Sequence, residues 1–230
     1  MKRISPILFA AAAMLMLLTG CRSSAEPVPP PEKNDTPAAE PASAPAFQAG
    51  TWLAKSEDAG TYYFFDADGS SGRTASQETG TGLGFTYTLQ DGRGTFSMGS
   101  ADNTSACTLE QTDREHVIIK WDDGREESLT YISEETSEEF RFYSNDDLRT
   151  LAISCYARAA GGAESLDAAA ADNEDGTVTI QVYENRGDHN STAAWYSVDR
   201  RTGKGVDVNT GEAVDLSSFE EDVSLSPAAG

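Results

Sequence analysis

A mainly β chain is what this sequence predicts: an eight-stranded antiparallel meander, forming a small barrel or a sandwich, followed by a helix plus a small antiparallel sheet. Three observations carry the prediction. From Phe47 to Tyr143, runs of β-branched and aromatic residues are broken by Gly, Asp or Asn about every 8 to 12 residues. Within those runs the alternation has the period of a half-buried strand, as in Phe85, Tyr87 and Leu89, or Val117, Ile119 and Trp121. Past Tyr143 the apolar period lengthens to that of a helix and then returns to two.

In order, the strands read as Thr51 to Lys55, Thr61 to Asp66, Gly82 to Gln90, Gly94 to Met98, Ala106 to Thr112, Glu115 to Asp122, Glu126 to Ile132 and Glu138 to Tyr143. Turns such as Asp66-Ala67-Asp68-Gly69, Gln90-Asp91-Gly92 and Asp122-Asp123-Gly124 separate them, with Gly supplying the positive φ of tight reversals. Trp52, Tyr62, Tyr63, Phe64, Phe65, Phe85 and Tyr87 form the aromatic stock. Trp52, Tyr63, Phe65, Phe85 and Tyr87 are the candidates for a ligand pocket, and core is the favoured reading. Gly50-Thr51-Trp52 resembles the Gly-x-Trp signature of the lipocalin-like calycin superfamily, which implies that Trp52 plugs a barrel floor. An ordinary core anchor accounts for Trp52 as well.

Next, Asn145-Asp146-Asp147 offers helix N-caps, and Leu148, Leu151, Ala152, Cys155, Tyr156 and Ala159 share one helical face. Gly161-Gly162 supplies the stop, and the narrow stripe predicts packing on a sheet. That sheet is expected from Thr177 to Glu184, with Val178, Ile180 and Val182 inward, and from Ala193 to Asp199, with Trp195, Tyr196 and Val198. A third short strand is placed through Val206 to Val214, and Leu166 to Ala171 reads as an earlier one despite its alanines. Helix followed by β-meander resembles a PepSY-type or cystatin-like module. The segment Trp195 to Gly205 is similar to the C-terminal ends of surface lipoproteins from Gram-positive bacteria. Residues beyond Ser217 read as a loose acidic tail.

Upstream of the body, Lys2 and Arg3 precede an apolar stretch, Ile4 to Leu18, too short at fifteen residues to span a bilayer. Leu18-Thr19-Gly20-Cys21 follows. This resembles the signal peptide of a bacterial lipoprotein, which implies cleavage before Cys21 and diacylglycerol on its thiol. Each buried methylene contributes about 0.8 kcal/mol, and two acyl chains suffice for stable attachment. Residues 22 to 46 hold seven of the nine prolines and read as a disordered spacer with a reach of up to roughly 80 Å. The organisation is therefore 1–20 signal peptide, 21–46 lipid anchor and linker, 47–144 β domain, 145–218 α+β module and 219–230 tail.

Charge excludes one class of partner. Lys2 and Arg3 leave with the signal, so the remainder carries 15 basic against 38 acidic residues, a formal net charge of −23. Nucleic acid recognition needs clustered Lys and Arg, and no such cluster exists. Cys107 and Cys155 read as packing residues with free thiols, although an exported chain also permits a disulfide. With only His116 and His189, a His-rich zinc site is ruled out within one chain. His189, beside Asp188, is the better candidate for a ligand or base, and solvated loop polarity explains it first. Asp66-Ala67-Asp68-Gly69-Ser70-Ser71-Gly72 lacks the third spaced acid and terminal Glu of a calcium loop. Asn173, Asp175 and Asp222 read as turn and tail residues. No nucleophile elbow, phosphate loop or dinucleotide fingerprint appears. No catalytic, cofactor-binding or metal residues are assigned.

The expectation is an extracytoplasmic lipoprotein, held to the cell membrane by its lipid and displayed at the cell surface in a Gram-positive host. It acts as a non-catalytic module that binds a small ligand or an envelope protein. An inhibitor or regulatory subunit of an exported enzyme is the alternative implied by the PepSY resemblance, and a hydrolase using paired carboxylates ranks third.

Overall fold

A computed structural model describes residues 47–55, 60–162, 165–187 and 189–223. The signal-like segment, Cys21 and the proline-rich stretch lie outside these residues. Eight strands, β1 (Gly50–Ala54), β2 (Thr61–Phe65), β3 (Ser71–Ser76), β4 (Gly84–Gln90), β5 (Arg93–Met98), β6 (Thr104–Gln111), β7 (His116–Trp121) and β8 (Glu126–Ser133), form a closed antiparallel barrel. Closure comes from β1 pairing with both β2 and β8, which sets Trp52 opposite Tyr63 on one side and Tyr131 on the other. Closure removes the unpaired edges that an open sheet of this size would expose.

The strand count agrees with the sequence, but one member differs. β3, Ser-Gly-Arg-Thr-Ala-Ser, carries no bulky strand-former. Its lumen-facing positions are small because large neighbours fill the space: a Cβ at Gly72 would sit 2.5 Å from the Phe85 ring. Glu138–Tyr143, expected as a strand, is irregular. Its alternation is real, but Phe140 and Phe142 bury against Tyr62 and Phe64 on the outer wall instead of joining a ladder. The β4–β5 reversal is the two-residue turn its sequence predicts, with Asp91 at φ 52° and Gly92 at φ 75°.

Side chains from alternating positions fill the barrel. Trp52, Phe65, Phe85, Phe96, Cys107, Ile119 and Leu129 are buried in one cluster. Phe47, just ahead of β1, stacks on Phe65 with ring centroids 4.0 Å apart, and Trp52 donates from Nε1 to Gln48 O at 2.8 Å. Trp121 is also buried, yet its Nε1 has no acceptor among the described residues. An unmet buried donor costs about 1–3 kcal/mol. Trp121→Phe is therefore expected to change unfolding free energy in urea by less than about 1 kcal/mol, because the lost ring volume is offset by removing that donor. A loss above about 2 kcal/mol would mean the indole N–H is satisfied.

Helix α1 (Asn145–Ala160) starts at the first of the expected caps, so its N-cap lies one residue earlier. Ser144 is the N-cap, in a reciprocal capping box with Asp147, and Gly161 closes the helix at φ 78°. The second sheet has the order β13 (Ala213–Asp215), β12 (Lys204–Asp207), β11 (Asn190–Asp199), β10 (Thr177–Asn185), β9 (Leu166–Asp172). Leu148, Leu151 and Ala152 pack on Val178, Ile180 and Val182, with Tyr196 and Val198 in the same core. Trp195 projects from the face opposite Tyr196 and Val198 because it neighbours the core residue Tyr196 along the strand. The segment expected as one strand through Val206 to Val214 is two strands, β12 and β13, joined by a turn. The first residues expected in the loose tail are ordered: the 3₁₀ helix Leu216–Asp222 continues past Ser217, with Leu216 fully buried and the Arg158 guanidinium 4.5 Å over the Phe219 ring, while residues 224–230 lie outside the described residues. Both Cys107 and the half-buried Cys155 are free thiols. Among the described residues no helix is long and apolar enough to cross a membrane.

The start of α1 docks on the barrel. Its first N–H groups have no partner within the helix, and those of Asn145 and Asp146 donate to Gln77 O (2.8 Å) and Glu78 O (3.0 Å) just after β3.

Candidate binding cleft

Beside that docking point a cleft of about 600 Å³ opens between the outer barrel wall and one end of the second sheet. Leu53, Tyr62, Ile132 and Phe140 form an apolar wall. Leu53, Tyr62 and Ile132 face outward because the alternate positions of their strands face the lumen, and Phe140, outside any strand, packs on the same wall against Tyr62. Opposite stand Ala171, Asp172 and Asn173 at the β9–β10 reversal and Asp199, Arg200 and Arg201 at and just beyond the end of β11.

Arg200 is only 4% exposed. Its guanidinium donates to Gln77 O (3.1 Å), Tyr143 O (2.8 Å) and Asn145 Oδ1 (2.8 Å), and it pairs with the Asp172 carboxylate. One side chain thus joins the barrel, the interdomain segment, the helix and β9. Arg201 makes a two-pronged pair with Glu135, 2.8 Å on each arm, while its guanidinium stacks 4.3 Å from the Phe140 ring centroid. That pairing holds the Glu135 carboxyl below its ordinary range, and burial pushes the Tyr62 hydroxyl above its own. Asn173 donates to Thr177 and Thr179 hydroxyls at 2.8 and 2.9 Å, which fixes the reversal. The cleft therefore offers an apolar wall, fixed amide and hydroxyl groups, the paired charges of Arg200 and Arg201, and Lys55 and Glu174 in its lining.

The five pocket candidates lie elsewhere. Trp52, Tyr63, Phe65, Phe85 and Tyr87 are all buried in the barrel core, and none lines the cleft. Tyr63 donates its hydroxyl to Glu127 Oε2 at 2.7 Å, and burial raises its pKa. Cys107 is likewise a core residue, with its thiol pushed up to about 11 by burial. Tyr62 and Phe64, grouped with these aromatics in the sequence, face outward. His116 is exposed beside Asp113, 2.8 Å away. His189 is near the start of β11, and its neighbour Asp188 lies outside the described residues. In the Asp66–Gly72 segment, Asp68 accepts from the N–H groups of Ser70 and Ser71 at 2.7 and 3.0 Å, the chemistry of a turn. Asp175 does the same for Thr177 at 3.0 Å, and the Asp222 side chain is not described. Among the described residues no three His, Cys, Asp or Glu side chains gather to hold a metal ion.

Sequence reasoning missed the cleft. One signal pointed to it: Arg200-Arg201 is an adjacent basic pair in a chain poor in bases. Comparison with protein-family models, characterised proteins and solved structures finds no match to this chain.

Proposed function

We propose that this chain is an exported lipoprotein, tethered through Cys21 to the cell membrane and displayed at the surface of a Gram-positive host, that binds a small ligand or envelope protein without catalysing its conversion. A lipocalin-like barrel and a PepSY-like module belong to that reading, but the binding site does not sit in the barrel. One observation supports this placement: the lumen is filled by buried aromatic and aliphatic side chains, while about 600 Å³ of amphipathic space lies against the outer wall. Ile132, 43% exposed at the cleft, is an apolar contact waiting for a partner.

Two variants test it. Cys21→Ala should move the chain from the membrane fraction of a bacterial host to the soluble fraction, since no second acyl signal replaces the lost one. Ile132→Glu, in otherwise native chain, should abolish the discrete adduct formed on cross-linking intact cells and leave membrane attachment unchanged. Retention of the Cys21→Ala chain in the membrane would overturn the anchor, and an adduct unaffected by Ile132→Glu would overturn the cleft.

A further inference from the structure

The face of the second sheet turned away from α1 has a composition unlike the rest of this molecule. Ladder registers place Ala169, Gln181 and Trp195 in one row across β9, β10 and β11, and Ala171, Thr179, Ser197 and Val206 in the next across β9 to β12. None of these is buried, so no described element covers the face. Val206 is 42% and Val208 55% exposed, two of the four exposed large apolar residues of the described chain. Charge is confined to the corners, at Asp167, at Asp199 and at the paired Lys204 and Asp215, although the whole chain carries −21. Hydroxyls and an amide are spread across the centre, with Gln181 Nε2 donating to Thr192 Oγ1 at 2.7 Å. Protein interfaces instead concentrate apolar area centrally within a polar rim.

We propose that this face binds an uncharged polysaccharide. Trp195 and Tyr183 present aromatic surfaces to the C–H faces of sugar rings, while Thr179, Gln181 and Ser197 exchange hydrogen bonds with sugar hydroxyls. Charge selects the same occupant. A polyanion is repelled by the acidic body, a polycation finds its carboxylates elsewhere, and a second copy brings its own net −21. β10 has nine residues, about 30 Å of track at roughly 3.3 Å per residue, which suits a chain molecule. The surface goes beyond the cleft reading and does not depend on it, although Ala171 and Thr177 border both.

Calorimetric titration of the lipidated full chain in detergent with chitohexaose and cellohexaose tests the inference, with polygalacturonate as the anionic counterpart. At least one uncharged hexaose should saturate a single site and polygalacturonate should not. Trp195→Ala should weaken that binding by about tenfold or more, the loss that follows truncation of an aromatic anchor. Gln181→Ala, which removes no large side chain, should weaken it less and retain the parent melting temperature. Ile132→Glu should leave glycan binding unaltered, which separates this face from the cleft. The inference is overturned if neither hexaose binds, if both variants of the face bind as the parent does, or if Trp195→Ala changes only the oligomeric state.

Discussion

Arg200→Ala is expected to destabilise the chain by about 3 kcal/mol, near the lower end of the cost of breaking a buried ion pair, because Asp172 keeps some contact with water. The substitution leaves Gln77 O, Tyr143 O and Asn145 Oδ1 without their donor as well as orphaning the carboxylate. Arg200→Lys retains the charge but replaces a planar five-donor fork with a single ammonium, and should recover less than half of the loss. Urea unfolding monitored by fluorescence reads both. A cost below about 1 kcal/mol for the alanine variant would show that the junction between barrel and helix is held by other contacts.

Trp52→Ala should cost about 3–5 kcal/mol, the range for emptying a large aromatic site in a packed core. Trp52 is 1% exposed and meets Phe47, Phe65 and Tyr131 edge to face at 5.8, 6.4 and 5.3 Å. Few of these rings can collapse into the void, because the barrel backbone closes around them through its hydrogen-bonded ladders. Trp52→Phe keeps most of the volume and loses the Nε1 bond to Gln48 O, so its cost should be about 1–2 kcal/mol. Thermal and chemical denaturation of the pair would show the ordering. Equal costs would mean that ring volume does not decide stability at this position.

What was legible in the sequence followed from local periodicity. Val117, Ile119 and Trp121 alternate, and β7 is a half-buried strand. Asp91-Gly92 fits only a tight hairpin turn, and one forms there. The helix and its glycine stop were readable from the spacing of Leu148, Leu151 and Ala152. The errors arose where long-range packing overruled local pattern. β3 is a strand because β2 and β4 lie beside it, and no residue between Ser71 and Ser76 announces it. Phe140 and Phe142 alternate like a strand because they fit gaps beside Tyr62, a neighbour some 80 positions earlier in the chain. The cleft was illegible for the same reason: Arg200 reaches Gln77, 123 positions away, and no spacing rule connects them.

The central claim, that the lumen is core and the outer cleft is the binding space, is tested most directly by methyl-labelled NMR during titration with decanoate, a small amphipathic probe. Ile132 and Leu129 lie three positions apart on β8, one on the cleft wall and the other fully buried inside. The account predicts saturable shifts at the methyl groups of Ile132 and Leu53, with Leu129, Val117 and Ile119 unmoved. Shifts centred on those three lumen residues, or none at Ile132 and Leu53, would contradict it.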